Sequence, residues 1–294
     1  MSLEKKPQQA IEAENLRIYG AYRSSPYLSI KHTSYFHVYE RLLSPYVGRP
    51  ITFVEVGVYN GGSLFMWRDF FGQDARIIGI DLNPLARRWE KDGFEIWIGN
   101  QASPTFWKDF CETVGPIDIC LDDGGHSNIQ QIQTTSSVVP YIKDGGLMIV
   151  EDTHCSYMTQ FGNPSRHSFM SYAFDVVDAI NSRFPGIKGS TNPMNEHVSS
   201  VSFQESIVAF HVNRKDCFIS EPTSNEGESL DAADYRHHET RGGKIGRLRD
   251  STAKRFAAQP ETSLLRRLGT RFFSRILFFQ NRIEGRRART LFGR

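Results

Sequence analysis

The sequence predicts an α/β protein built on a doubly wound, mostly parallel sheet that ends in an antiparallel hairpin. Three observations carry this expectation. From Ile51 to Glu151 short apolar runs alternate with stretches of helical period, which is how βαβ units read in sequence. The first run passes into Gly57…Gly61-Gly62, a turn where the backbone needs glycine's freedom. Later, Val198–Phe203 and Ser206–Val212 alternate apolar and polar residues on either side of Gln204-Glu205, as a half-exposed hairpin does.

The elements follow in order. Residues 1–50 read as an N-terminal cap of helices and loops. Phe36, Tyr39, Leu42 and Leu43 keep helical spacing until Pro45 and Gly48-Arg49-Pro50 break it. Residues 51–215 form the sheet domain, with strands expected at 51–58, 76–81, 94–98, 117–121 and 146–151. Helices are expected near 62–72, 84–92, 103–114 and 127–142, and a longer one at 165–183 precedes the hairpin. Phe65, Met66 and Trp67 read as packing residues of the first of these. Residues 216–294 form a polar linker and a basic helical tail. From Tyr235 to Arg294 there are 16 Lys/Arg against 4 Asp/Glu. The net charge of +2 over 294 residues thus hides a strong asymmetry.

In the tail, Leu264, Leu265, Leu268, Phe272, Ile276, Phe279 and Ile283 recur at helical spacing among Arg266, Arg267, Arg271, Arg275 and Arg282. This pattern suits peripheral membrane contact through 263–292. Packing on the domain, or pairing of subunits into a homo-oligomer, is the alternative. Nucleic-acid binding is not expected, because the aromatic residues follow the helix stripe. Cys111, Cys120, Cys155 and Cys217 lack metal or redox spacing, and free thiols in a reducing compartment are expected. The start lacks the apolar core of a signal peptide, and no stretch reaches the ~20 apolar residues of a membrane span. A cytoplasmic location is expected, with the tail as a candidate contact to the inner membrane surface.

Chemistry concentrates in Leu121-Asp122-Asp123-Gly124-Gly125-His126 and Glu151-Asp152-Thr153-His154. Each follows an expected strand, at the carboxyl edge where open α/β sheets bind ligands. Carboxylates converging there repel one another unless a cation or a proton intervenes. An all-oxygen cluster suits Mg²⁺, with a neighbouring histidine to move a proton. Plainer roles stay open: a helix cap for Asp122 or Asp123, a solvated strand end for Glu151-Asp152, and structural or pocket duties for His126 and His154. Tyr157, Arg166 and His167 follow the fifth strand, where an acceptor could lean.

The glycine turn adds a nucleoside site. Gly57, Gly61 and Gly62 give G-x-x-x-G-G rather than the G-x-G-x-x-G of a dinucleotide cradle. Asp81, ending the second strand, is placed to bind ribose hydroxyls. A Rossmann-like fold with this looser turn suits S-adenosylmethionine. A nicotinamide cofactor is disfavoured by the spacing and by the acidic cluster.

Glu55-Val56-Gly57…Gly61-Gly62-Ser63, Gly79-Ile80-Asp81, Gly99-Asn100-Gln101, Leu121-Asp122-Asp123-Gly124-Gly125-His126 and Val150-Glu151-Asp152-Thr153-His154 resemble class I S-adenosylmethionine-dependent methyltransferases. The nearest likeness is to the metal-dependent, mycinamicin-type O-methyltransferases of macrolide sugars. The rhamnosyl O-methyltransferase and cephalosporin hydroxylase group is related. The likeness spans roughly 30–212, with Lys31, His37 and Tyr39 echoing the segment before the first strand. It implies Asp123, Glu151 and Asp152 as Mg²⁺ ligands and His126 as general base. Glu55, Gly57, Gly61, Asp81 and Gln101 are implied as S-adenosylmethionine contacts, with Asp122 bordering that pocket. Asn100 departs from the family's usual aspartate. The implied activity is Mg²⁺-dependent methylation of a sugar hydroxyl, on a glycan of polysaccharide biosynthesis or on a glycosylated natural product. A non-sugar acceptor, or a role as S-adenosylmethionine-binding subunit of a partner enzyme, is the alternative.

Overall fold

The structure, a computed structural model, describes residues 15–162 and 165–228, residue 230, and scattered positions between 263 and 291. The chain divides into two compact units, Met1–Pro222 and Thr223–Arg294. In the first unit seven strands form one sheet: β1 Thr52–Val56, β2 Arg76–Asp81, β3 Glu95–Ile98, β4 Ile117–Asp122, β5 Ile142–Val150, β6 Val198–Gln204 and β7 Ile207–Val212. Their spatial order is β3-β2-β1-β4-β5-β7-β6. The first five pair in parallel, and β7 runs antiparallel between β5 and β6. The order reverses between β1 and β4, so a crevice opens beyond their carboxyl ends.

Among the described residues six helices flank the sheet: α1 Arg17–Ser24, α2 Tyr35–Leu43, α3 Gly62–Phe71, α4 Pro104–Val114, α5 Asn128–Val138 and α6 Phe169–Asn181. Two apolar layers result. One joins Tyr35, Phe36, Tyr39, Trp67 and Phe71, from α2 and α3, to Phe53 and Ile149 of the sheet. The other joins Trp107, Phe110, Val138 and Phe169, from α4 to α6, to Val54, Ile78 and Met148. Strands covered on both faces need near-continuous apolar sequence, and β1, β4 and the second half of β5 have it.

Two expectations shift. Residues 84–92 form a 3₁₀ segment, Pro84–Asp92, rather than an amphipathic α-helix. Its buried residues, Ala86 and Trp89, stand three apart, which suits three residues per turn. Strand β5 begins at Ile142, earlier than residue 146, because Ile142 pairs with Ile117 ahead of an irregularity in register at the polar, glycine-containing Lys143-Asp144-Gly145. Among the described residues no helix is long and apolar enough to cross a membrane. The four cysteines are free thiols, with Cys111, Cys120 and Cys155 buried.

Candidate active site

Val56 pairs in register with Asp122, and Asp122 with Val150, so Asp123 and Glu151-Asp152 leave adjacent strands at one edge. Backbone bonds extend this order: the Asp123 N–H donates to Val56 O at 3.0 Å and the Glu151 N–H to Asp122 O at 2.9 Å. Helix α5 is started by Ser127, which forms a capping box with Gln130. That frees both aspartates from the capping role.

One ligand atom each from Asp123, His126 and Asp152 lies within 4.8 Å of the others. Nε2 of His126 stands 3.5 Å from Asp152 Oδ2, and its Nδ1 is buried with no hydrogen-bond partner. His126 and Asp152 have positive φ values of 57° and 53°. Left-handed backbone is uncommon outside glycine and costs on the order of 1 kcal/mol or more per residue. Here that strain falls on two members of one three-residue group. A second group joins Asp152 to His32 and His154, whose nearest ring nitrogens are 3.8 and 3.9 Å from Asp152 Oδ1. His154 Nδ1 also hydrogen-bonds Ser206 Oγ.

Glu151 lies behind these groups and is fully buried. One of its oxygens accepts from Lys31 Nζ at 2.9 Å and the other from the Tyr39 hydroxyl. The same Nζ reaches Asp123 Oδ2 at 2.6 Å. Tyr35, one helical turn before Tyr39 and so on the same face of α2, donates to Asp152 Oδ1. Burial alone would favour a neutral Lys31, but Asp123, Glu151 and Glu55 outweigh it and raise the ammonium above its ordinary value. Burial, and then the charge of Asp123, push the Glu151 carboxyl upward against the pull of Lys31. The tyrosine hydroxyls rise as well, through burial first and then through hydrogen bonding to Asp152 for Tyr35 and the charge of Glu151 for Tyr39.

Beside this edge a cavity of about 650 Å³ is lined by Gly57, Asp81, Gln101, Asp123, Gly124 and His126, among others. Asp81 Oδ2 accepts from the N–H groups of Val58 and Tyr59 at 2.9 and 3.1 Å, which pins the glycine turn. Gly57 has φ 95°, and a Cβ there would stand 2.2 Å from the Asp123 carbonyl. Glycine lets the turn after β1 pass against the turn after β4.

Three expected contacts stand outside the cavity lining. Gly61 caps α3 with φ 82°, and a Cβ on it would overlap the Trp89 indole at 2.3 Å. Glu55 is fully buried and accepts from Ser63 Oγ at 2.7 Å and Trp67 Nε1 at 2.9 Å. Burial pushes its carboxyl up to about 7, with Lys31 opposing. Asp122, also fully buried, accepts from Gln101 Nε2 at 3.0 Å. Gln101 Oε1 in turn takes the Gly125 N–H at 2.8 Å, tying the third strand's turn to the fourth's. Asn100 lines the cavity and accepts from the Ala102 N–H at 2.9 Å, a local turn that an aspartate would make equally well. Tyr157 is exposed, and Arg166 donates to His167 at an exposed position. Sequence reading named Lys31 only as part of a family-like segment and passed over His32 and Tyr35, since only the fold brings them to residues about a hundred positions away.

Comparison with known proteins finds matches over the segment that carries these residues. Residues 54–153 match the family model described as a methyltransferase domain. The 8-demethyl-8-α-L-rhamnosyl tetracenomycin-C 2′-O-methyltransferase of Streptomyces olivaceus is 29% identical over 188 residues, 60% of this chain and 49% of that protein. The mycinamicin VI 2″-O-methyltransferase of Micromonospora griseorubida is 27% identical over 199 residues, 64% of this chain and 48% of that one. The chain thus spans about half the length of the curated relatives it matches. Among solved structures, the MycE methyltransferase of mycinamycin biosynthesis, in complex with Mg, SAH and mycinamycin VI, superposes with a TM-score of 0.60. It is 22% identical and covers 68% of this chain and 54% of its own, a likeness of fold. Residues 54–153, which carry the glycine turn and both acidic clusters, are thus similar to a methyltransferase domain, and the curated relatives the chain resembles are O-methyltransferases.

Proposed function

We propose that this protein transfers a methyl group from S-adenosylmethionine to a hydroxyl of a sugar, with Mg²⁺ held at the carboxylate edge. The observation that carries the reading is the convergence of Asp123, His126 and Asp152 on a cavity that also holds the glycine turn and Asp81. The donor set suits a hard divalent ion, since carboxylate oxygens of Asp123 and Asp152 lie within 4.8 Å of each other, close enough to share one cation, and the imidazole of His126 beside them is left to move a proton. The cavity lies in the range of small-molecule sites, and Asp81 stands where a ribose would lie. The names of the relatives support a sugar-bearing acceptor, in a glycosylated natural product or a glycan.

When bound, S-adenosylmethionine supplies an electrophilic methyl group, and Mg²⁺ lowers the pKa of the acceptor hydroxyl. Nε2 of His126 takes the hydroxyl proton, and Asp152 Oδ2 beside it stabilises the imidazolium. A carbon–oxygen bond to the acceptor forms as the carbon–sulfur bond breaks, leaving a neutral thioether. Asp123 and Asp152 would hold the ion, and Gly57, Asp81 and Gln101 would face the nucleoside. Glu151, which the resemblance implies as a third ligand, stands behind this group with its oxygens held by Lys31 and Tyr39.

The test is transfer of label from methyl-labelled S-adenosylmethionine to a panel of glycosides and bacterial glycans, run with EDTA and then with Mg²⁺ restored. Labelling of a sugar hydroxyl that chelation abolishes and Mg²⁺ recovers is the expected result, with Asp123→Ala and Asp152→Ala folded and nearly inactive. Undiminished turnover after exhaustive chelation overturns the metal assignment. Binding of S-adenosylmethionine without transfer to any acceptor favours a binding subunit.

A further inference from the structure

More than half of the basic tail, 263–292, lies outside the described residues. Within the described ones, chemistry that methyl transfer leaves unused gathers at one oxygen of Asp152. The two oxygens of this carboxylate serve different neighbours. Oδ2 stands 3.5 Å from Nε2 of His126. Oδ1 stands 3.8 Å from Nε2 of His32 and 3.9 Å from Nδ1 of His154. One ligand atom from each of His32, Asp152 and His154 lies within 4.8 Å of the others.

Both histidines are set in place by bonds around them. Lys31, next to His32, is anchored between Asp123 and Glu151, and the His32 carbonyl accepts the Tyr35 N–H at 3.0 Å where α2 begins. The His32 ring stands edge-on to Tyr35 and to His154, at centroid separations of 5.2 and 5.6 Å. On the other side, the Thr153 N–H donates to Ser206 O at 3.1 Å, and His154 Nδ1 hydrogen-bonds Ser206 Oγ. Tyr35 steadies Asp152 by donating to Oδ1. The side chains of His32 and His154 are 64% and 43% exposed, so an ion can reach them from solvent.

Two imidazoles and one carboxylate are a donor set for zinc-class ions, whereas Mg²⁺ prefers oxygen alone. Donors of one tetrahedral Zn²⁺ stand about 3.3 Å apart when its bonds are ~2.0–2.1 Å long. The half-exposed rings need only small rotations to close to that spacing. His154 Nδ1 would then give its lone pair to the ion in place of the Ser206 hydroxyl, which can turn to a new partner. We propose that His32, His154 and Oδ1 of Asp152 bind a divalent ion of the zinc class at the rim of the cavity. The other oxygen of Asp152 is left to the group of Asp123 and His126. Three protein ligands leave a fourth position for water or an acceptor oxygen. The site goes beyond the methyl-transfer reading and does not depend on it.

Titration of the full chain with Co²⁺ in excess Mg²⁺, followed by challenge with Zn²⁺, tests this. Visible d–d bands are expected to grow to saturation and to collapse when Zn²⁺ displaces the cobalt. His32→Ala and His154→Ala should each dim the bands and weaken Co²⁺ binding by roughly 10–100-fold, the range seen even for loss of an outer partner. Tm and far-UV circular dichroism should stay at parent values in both. Asp123→Asn should keep the bands, because Asp123 belongs to the other group. Absence of bands in the parent overturns the proposal. Bands that survive both histidine changes overturn it too, by placing the ion elsewhere. Loss of bands in Asp123→Asn but not in His32→Ala assigns the ion to the first group alone, with the same result. Methyl transfer is scored by label rather than by cobalt, so either assignment can fail while the other stands.

Discussion

The ammonium of Lys31 stands 2.6 Å from Asp123 Oδ2, a contact closed across 92 residues of sequence. With Glu151 2.9 Å away on its other side, Lys31 is a fixed counter-charge inside a site otherwise dominated by acids. Removing one partner of a buried ion pair is costly because the other charges stay behind unpaired.

Lys31→Met is therefore expected to lower stability by about 3 kcal/mol or more, a fall in Tm of roughly 6–12 °C for a domain of this size. Mg²⁺ should recover part of that loss, since it supplies positive charge to the same carboxylates. Thermal melts with Mg²⁺ and with EDTA measure both effects. A variant as stable as the parent in EDTA would show that the clamp is not the counter-charge argued here.

His126 and Asp81 should separate kinetically. His126→Ala is expected to lower kcat by about 10²-fold or more while the Kd for S-adenosylmethionine stays within a few-fold, because the imidazole acts on the acceptor's proton. Asp81→Ala should chiefly weaken S-adenosylmethionine, through loss of the ribose contact and of the bonds that pin Val58 and Tyr59. Single-turnover rates and calorimetry on the same preparations distinguish the two. Near-normal kcat in His126→Ala would move the base role to His154, whose ring also faces Asp152.

Glu55 predicts a pH dependence of stability. Burial raises its carboxyl from 4.5 to about 7, so the native state holds this proton more tightly than the unfolded chain does. The corresponding stabilisation is complete below pH 4.5 and disappears as pH rises through about 7. Each pH unit between those values is worth about 1.4 kcal/mol, or roughly 3 kcal/mol in all. Glu55→Gln can still accept from Trp67 and can donate to Ser63. Urea titrations from pH 4.5 to 8.5 should show the variant losing less stability than the parent. Parallel curves would remove Glu55 as a source of the pH dependence.

The sheet was legible because its physics is local. Strands β1, β2 and β4 are apolar runs ended by glycine or acid, and their parallel order follows from the helices between them. The turn residues Gly57 and Asp81 were legible for the same reason, each standing where a strand must stop. Lys31 was not, because nothing in Ser29-Ile30-Lys31-His32 distinguishes a buried ammonium from a solvated one. Its role exists only once α2 lies against the ends of β4 and β5. Glu55 shows the opposite failure. A strand-end acid before a glycine turn reads as a ligand contact, yet the side chain alternation of β1 turns it toward Ser63 and Trp67. The difference between a pocket wall and the layer behind it is one pleat, finer than a motif can resolve.

The Lys31 clamp also sets an order of events during synthesis. At the usual ~5–20 residues per second, Glu151 leaves the ribosome some 6–24 seconds after Lys31, a separation of 120 residues. For the first 92 residues of that stretch the amine that will be buried has neither of its acids, and Tyr35 and Tyr39 have no carboxylates to meet. A nascent chain ending short of Asp152 therefore holds the glycine turn, Asp81, Asp123 and His126 but not the carboxylate that stands beside the imidazole. The nucleoside half of the proposed site is thus made before the carboxylate half.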